Sequence, residues 1–324
     1  MATINEIASK AGVSRTTVSR VLNDSGYVSE AARLRVLKVI EETGYVPSES
    51  AKSLRTKKSK VVGVVLPKIS TETSSRLVKG IDDVLAAKGY QILLVNTNLS
   101  IEKETESLRL LKSRNVDGII LSATHVSNEL QNVLKETNVP NVVVGQPYPE
   151  MYNVVFDDFS AAKELTKKLI ENGHKKIAYL GVADTDYSVG VMRRGGVRSA
   201  LEEANIQLPL EWDWSGTFDI QSGQDGMKAI IEAGLGHPDV VIAATDRLAV
   251  GAFEYLKQKR IEVPKEVLLA GMGTSELSRY VIPSLLTIDF PIEEAGKSAA
   301  ELLLTQIEGK KTISTKVISH RLIE

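Results

Sequence analysis

The chain is expected to fold as an all-α helix-turn-helix domain joined to an α/β core of two Rossmann-like lobes. Three observations predict this. Three short amphipathic segments, each bounded by turn residues, fill the first 45 positions. From Val61 onward the pattern changes to alternating apolar runs and amphipathic stretches, the signature of parallel sheets covered by helices. The charge is also divided: residues 1–60 hold 11 of the 40 Lys+Arg and 6 of the 41 Asp+Glu, which leaves 29 against 35 for the rest. A net charge of -1 therefore hides a basic head on an acidic body, as phosphate contact by one end would require.

Thr3 and Glu6 have capping-box spacing, and Ile7, Ala8 and Ala11 give the first helix one apolar stripe. Gly12 ends it, and Ser14 is a good N-cap for the second helix. There Val18, Val21 and Leu22 point inward, leaving Arg15, Thr16, Thr17, Ser19 and Arg20 outside. Ser29 caps a third helix with Leu34, Leu37 and Ile40 as its expected inner stripe and Gly44 as its stop.

Residues 1–46 thus form a reading head and 47–60 a connector. Pro47 prevents the third helix from continuing, and Ser48 can cap a short helix through Arg55. Two turns do not stand alone in water, so such a helix forms only when DNA or a second copy supports it. Leu54 is an apolar side chain on a basic and polar segment; from composition alone, a plain linker and a conditional hinge helix remain equal readings.

The core, 61–324, opens with a strand at 61–66, Val-Val-Gly-Val-Val-Leu, apolar on both faces. Helix 74–88, strand 91–95, helix 103–114, strand 118–122, helix 127–137 and strand 141–145 follow. A second series runs through helix 160–172, strand 176–181, helix 192–204, a strand near 214–218, helix 222–234, strand 239–244, helix 246–259 and strand 267–272. A helix at 293–308 and one edge strand at 315–323 close it. One lobe is expected to take about 61–158 plus 290–310, the other about 159–289 plus 311–324. Ligands of open parallel sheets sit beyond the carboxyl ends of the strands. Those ends are rich in hydroxyls, amides and carboxylates, which suits a sugar, although helix capping explains most of them.

Chemistry is sparse. The absence of cysteine excludes disulfides, thiolate metal sites and cysteine nucleophiles. The four histidines, 125, 174, 237 and 320, share no metal-ligand spacing. No G-x-G-x-x-G or G-x-S-x-G is present, and Pro291–Ser298 reads as the start of the last helix and not as a phosphate loop. Asp157 and Asp158 are adjacent and do not easily share one substrate. No enzyme, metal or cofactor is expected. No apolar run reaches the ~20 residues of a membrane span, and the N-terminal residues lack the apolar run of a secretory signal, so a cytoplasmic location is expected.

With these residues in view, the chain resembles the LacI/GalR family of bacterial transcription regulators. Val13–Asn23 carries the likeness most specifically. Asn115–Ile120, Gly173–Ala178, Ala244–Ala252 and Leu285–Asp289 extend it. The resemblance implies a periplasmic-binding-protein-like core and a homodimer on palindromic operator DNA. It implies DNA contacts by Ser14, Arg15, Thr16, Thr17, Ser19, Arg20 and Asn23, and by Lys52, Leu54 and Arg55 in the connector. Leu54 would act as a minor-groove wedge. It also implies an effector cleft formed by Lys68, Thr73, Ser74, Gln146, Arg193, Phe218, Asp246 and Asp289, with Lys68 and Arg193 able to clamp a phosphate. The implied function is repression of a carbohydrate operon, switched by a sugar or sugar phosphate. A purine- or phosphoprotein-responsive regulator and a sugar-binding transport protein are the alternatives. No leucine-heptad tail follows Arg321-Leu322-Ile323, so a dimer is expected in preference to a tetramer.

Overall fold

The computed structural model describes residues 2–45, 58–282, 285–310 and 315–323. The chain divides into two compact units, Met1–Lys60 and Val61–Glu324.

In the first unit, α1 (Ile4–Ala11) carries both halves of the Thr3/Glu6 capping box and ends at Gly12, whose φ of 62° is left-handed. α2 (Arg15–Leu22) starts at Ser14, whose side chain accepts from the Thr17 N–H. α3 (Glu30–Thr43) closes the unit. Ile7, Ala8, Ala11, Val18, Val21, Val36 and Val39 form its core. The expected stripe of α3 needs correction: Leu34 and Leu37 are 60% and 47% exposed, while Val36 and Val39 are buried. The helix offers two apolar stripes, and the Arg35 Nε bond to the Ala11 carbonyl (3.2 Å) fixes the one that faces inward. Lys52, Leu54 and Arg55, with the expected hinge helix, lie outside the described residues.

Among the described residues the second unit holds two six-stranded sheets. The first lobe is built from β1 (Val61–Leu66), α4 (Glu72–Ala87), β2 (Gln91–Asn96), α5 (Ile101–Ser113), β3 (Gly118–Ser122), α6 (Asn128–Thr137), β4 (Asn141–Val144) and β5 (Asn153–Phe156). The second follows with α7 (Asp158–Glu171), β6 (Ile177–Val182), a π-helical turn (Tyr187–Arg193), α8 (Arg194–Glu203), β7 (Asp213–Gly216), α9 (Ile220–Glu232), β8 (Val240–Ala243), α10 (Asp246–Gln258), β9 (Leu268–Met272), α11 (Glu276–Val281) and β10 (Leu286–Asp289). Then come α12 (Ile292–Ile307), β11 (Thr315–Ile318) and β12 (Arg321–Ile323). Strand orders are β11-β5-β4-β3-β1-β2 and β12-β10-β9-β8-β6-β7. β12 runs antiparallel to β10; the other described pairings are parallel.

The single edge strand expected at 315–323 is two strands. β11 joins β5 in the first sheet and β12 joins β10 in the second, so 315–318 belongs to the first lobe. Ser319 and His320 carry the chain across. The backbone therefore passes between lobes three times: after β5, after β10 and after β11. α12 returns to the first lobe and packs on α4. There a side chain on Gly80 would collide with the Glu293 carbonyl, and one on Gly296 with the Leu77 carbonyl. Gly223 and Gly251 make the same reciprocal approach between α9 and α10 in the second lobe. Among the described residues no helix is long and apolar enough to cross a membrane.

Candidate nucleic-acid interface and effector cleft

Arg15, Thr16 and Arg20 are exposed on α2, with Thr16 and Arg20 one turn apart. Their neighbours have local partners. The Ser14 hydroxyl lies 2.9 Å from that of Thr17, and Asn23 Nδ2 donates to the Ser19 carbonyl at 2.5 Å, closing the helix. The backbone of Gly26, at φ 70°, sits against Arg20: a Cβ there would lie 3.3 Å from Nε. The next residue, Tyr27, is 87% exposed.

Several of the residues implied for an effector cleft lie near the strand ends where the two lobes bond to each other. Arg193 ends the π-helical turn and is 7% exposed. Its Nε donates to Asp158 Oδ1 (2.7 Å) and its Nη1 to the Ala244 carbonyl (2.6 Å), while the guanidinium lies 4.4 Å from the Phe290 ring centroid. Burial raises the Asp158 carboxyl above its usual range, and the Arg193 charge pulls the other way. Its neighbour Asp157 instead caps α7 through the Ser160 N–H, so the two carboxylates serve separate partners.

Asp246, the first residue of α10, is buried. Thr245 is that helix's N-cap, and Asp246 instead holds the start of α11: its Oδ2 accepts from the Ser275 N–H and the Ser278 hydroxyl. Its Oδ1 is buried and has no hydrogen-bond partner among the described residues. The absence of a side chain at Gly273 makes room for this carboxylate, since a Cβ would sit 2.8 Å from Asp246 Cγ.

Direct bonds join the lobes. Gln146 Nε2 donates to Asp186 Oδ1 (2.8 Å), the Ser188 hydroxyl to the Gly145 carbonyl (2.6 Å), and the Glu276 N–H to Glu72 Oε2 (3.0 Å). Asp289 accepts from the Thr274 hydroxyl (2.7 Å) and lies near Arg76 of α4 (3.9 Å) and Arg321 (3.5 Å). Ser74 is buried and accepts from the Thr71 hydroxyl, Thr73 and Lys68 are exposed, and Phe218 packs half-buried against the second-lobe core. The structure thus gathers Gln146 and Arg193 at the lobe junction and binds Asp289 into an interlobe ion-pair cluster. Sequence reasoning missed Glu72, Asp186, Ser188 and Phe290 and set Asp158 aside, because their roles arise from pairings across elements.

Glu104 and His125 are buried in the first lobe beside this junction. Glu104 Oε2 and His125 Nε2 are 3.6 Å apart, and neither has a hydrogen-bond partner among the described residues. Burial pushes Glu104 up to about 7 and His125 down, the latter opposed by the Asp186 charge. A carboxyl raised on folding stabilises fully below its unfolded pKa and loses that contribution as pH rises through the folded value. Glu104 is therefore expected to lower the unfolding free energy by about 2–3 kcal/mol between about pH 5 and 8, while His125, lowered on folding, works the other way as pH rises through its unfolded value. Glu104→Gln should flatten this slope in urea titrations; an undiminished slope would assign it elsewhere.

Comparison with known proteins agrees with this architecture. Residues 3–48 match the family model of bacterial regulatory proteins, lacI family. Residues 59–324 match that of periplasmic binding proteins and sugar binding domain of LacI family. The HTH-type transcriptional repressor PurR of Vibrio vulnificus is 32% identical over 96% of this chain and 93% of its own length. The sucrose operon repressor of Staphylococcus xylosus is 31% identical over 100% and 97%. A transcriptional regulator CelR–cellobiose complex superposes with a TM-score of 0.77 at 29% identity, covering 100% of this chain and 99% of that one. Head and core match in order and nearly end to end, and the chain belongs to the LacI family of bacterial regulatory proteins.

Proposed function

We propose that the protein is a dimeric, sequence-specific repressor of a carbohydrate-utilisation operon, acting in the cytoplasm without catalysis and switched by a sugar or sugar phosphate bound between the core lobes. One observation carries this reading: a basic head with Arg15, Thr16 and Arg20 exposed on its second helix is joined in one chain to a core of the sugar-binding type. Arginine suits the O6 and N7 of guanine in the major groove, and a two-fold dimer suits a palindrome. Arg193, Gln146 and Asp246 would meet the effector, and Leu54 would wedge the minor groove.

A finer likeness to a trehalose operon repressor rests on Tyr179-Leu180-Gly181-Val182 and Arg193-Arg194. Arg194 lies 5.7 Å from the Tyr179 ring centroid and pairs with Asp184 and Asp213, so lobe packing accounts for part of that likeness. Trehalose therefore belongs among the sugars to test. A purine-responsive regulator is the second reading, favoured by the PurR relative.

The test begins by selecting duplexes from a random library with the full-length protein. A palindromic consensus is expected. Arg20→Ala should weaken binding to it by roughly 10- to 100-fold, the cost of one bidentate base contact. Selection without any consensus, or unchanged Arg20→Ala affinity in gel-shift titration, would refute the assignment.

A further inference from the structure

We infer that the joining of the two lobes is linked to proton uptake by the buried pair Glu104 and His125: one proton held by the pair favours the joined state, and its loss favours separation. Nothing in this depends on which effector binds. Glu104 is fully buried and His125 is 8% exposed. Glu104 Oε2 and His125 Nε2 stand 3.6 Å apart, and neither they nor Glu104 Oε1 has a hydrogen-bond partner among the described residues. The pair also lies against the second lobe. The His125 carbonyl accepts from the Tyr148 hydroxyl (2.8 Å). On the same loop as Tyr148, Gln146 Nε2 donates to Asp186 Oδ1 (2.8 Å), and the Ser188 N–H returns to Gln146 Oε1 (3.3 Å). Asp186 is thus the carboxylate that the second lobe brings to this wall, and its charge acts on His125. The other groups around the pair are committed. Burial pushes the Tyr148 hydroxyl up to about 12, so it stays neutral. Arg193 lies within the field of Asp186 and is already bonded to Asp158 at 2.7 Å.

The sign follows from the net charge of the pair. Burial lowers His125 and pushes Glu104 up to about 7. Above neutral pH the pair is therefore a carboxylate beside a neutral imidazole, with one negative charge. A single proton brings that charge to zero, whether it sits on a Glu104 oxygen or on Nε2. A buried negative pair repels the Asp186 carboxylate that joining brings toward it, and a neutral pair does not. Joined lobes hold the proton more tightly, and by reciprocity the proton holds the lobes together. This contribution is present in full below about pH 6 and is lost as pH rises through about 7.

Hydrogen exchange of the full-length protein without ligand tests this at the Ser188 and Glu276 amides, which donate across the lobes to Gln146 Oε1 and Glu72 Oε2. Corrected for the intrinsic rate, their protection is expected to fall about fivefold or more between about pH 6 and 8. Glu104→Gln fixes the pair as neutral. Asp186→Asn removes the opposing charge and keeps an Oδ1 that accepts from Gln146. In both variants the protection should change less than about twofold over the same range. Asp186→Asn should also retain the pH slope of unfolding free energy assigned above to Glu104, which separates coupling between lobes from burial alone. Flat protection in the wild type, or a slope that survives Asp186→Asn, overturns the inference.

Discussion

Arg193→Met is expected to destabilise the core by about 3–5 kcal/mol and to abolish the response to ligand. The stability loss follows from what remains behind. Asp158 is 4% exposed, and without the guanidinium its carboxylate would be buried with no cation against it. The Ala244 carbonyl loses its 2.6 Å donor, and Phe290 loses the group at 4.4 Å from its ring. Adding Asp158→Asn should restore most of the unfolding free energy, because the uncompensated charge carries most of the cost and a pair removed together costs little. It should not restore the ligand response, since the donor fork is gone. Urea unfolding of the single and double variants measures the first effect, and operator release with increasing sugar measures the second. A wild-type midpoint for Arg193→Met would refute the energetic argument, and a ligand-responsive double variant would remove Arg193 from the site.

Gly80→Val should be comparably damaging at a position that touches no ligand. α4 and α12 cross with their backbones in contact, and a Cβ on Gly80 would overlap the Glu293 carbonyl oxygen. Backbone cannot rotate away as a side chain can, so the helices must separate and lose packing along their length. We expect a loss of at least about 3 kcal/mol, the upper end of overpacking costs. Gly251→Val should behave alike in the second lobe, where the Ile220 carbonyl blocks the space. Gly195→Ala is the control: its Cβ would meet only the Phe159 ring at an ordinary 3.5 Å, and its effect should stay within about 1 kcal/mol. Denaturant midpoints for the three variants decide the matter; a Gly80→Val protein as stable as the control would show that the crossing yields easily.

Much of this architecture was legible because it is written in local periodicity. The capping box at Thr3 and Glu6, the stop at Gly12 and the apolar run of β1 all form where their spacing places them. β5 and β10 were missed because Asn-Val-Val-Phe and Leu-Thr-Ile-Asp are short and mix polar with apolar residues, unlike the equally short but wholly apolar β8. Six-residue α11 escaped for the same reason, and its start depends on an Asp246 carboxylate about thirty residues away. Leu34 and Leu37 misled because α3 carries two apolar stripes, and only the partner helices choose between them. In the cleft, residue type pointed to Arg193 and Asp246, whereas their commitments to Asp158 and to α11 are tertiary facts that no spacing reveals.

The threefold passage of the backbone between lobes bears on biosynthesis. On the ribosome, the amino-terminal half of the core emerges first, yet its sheet waits for β11 and its α4 face waits for α12. The second lobe in turn lacks its edge until β12 is made. A nascent chain halted anywhere before residue 292 therefore presents the surface around Gly80 uncovered, open to chaperones or to aggregation. The two halves therefore mature together, once residues 292–323 have been made.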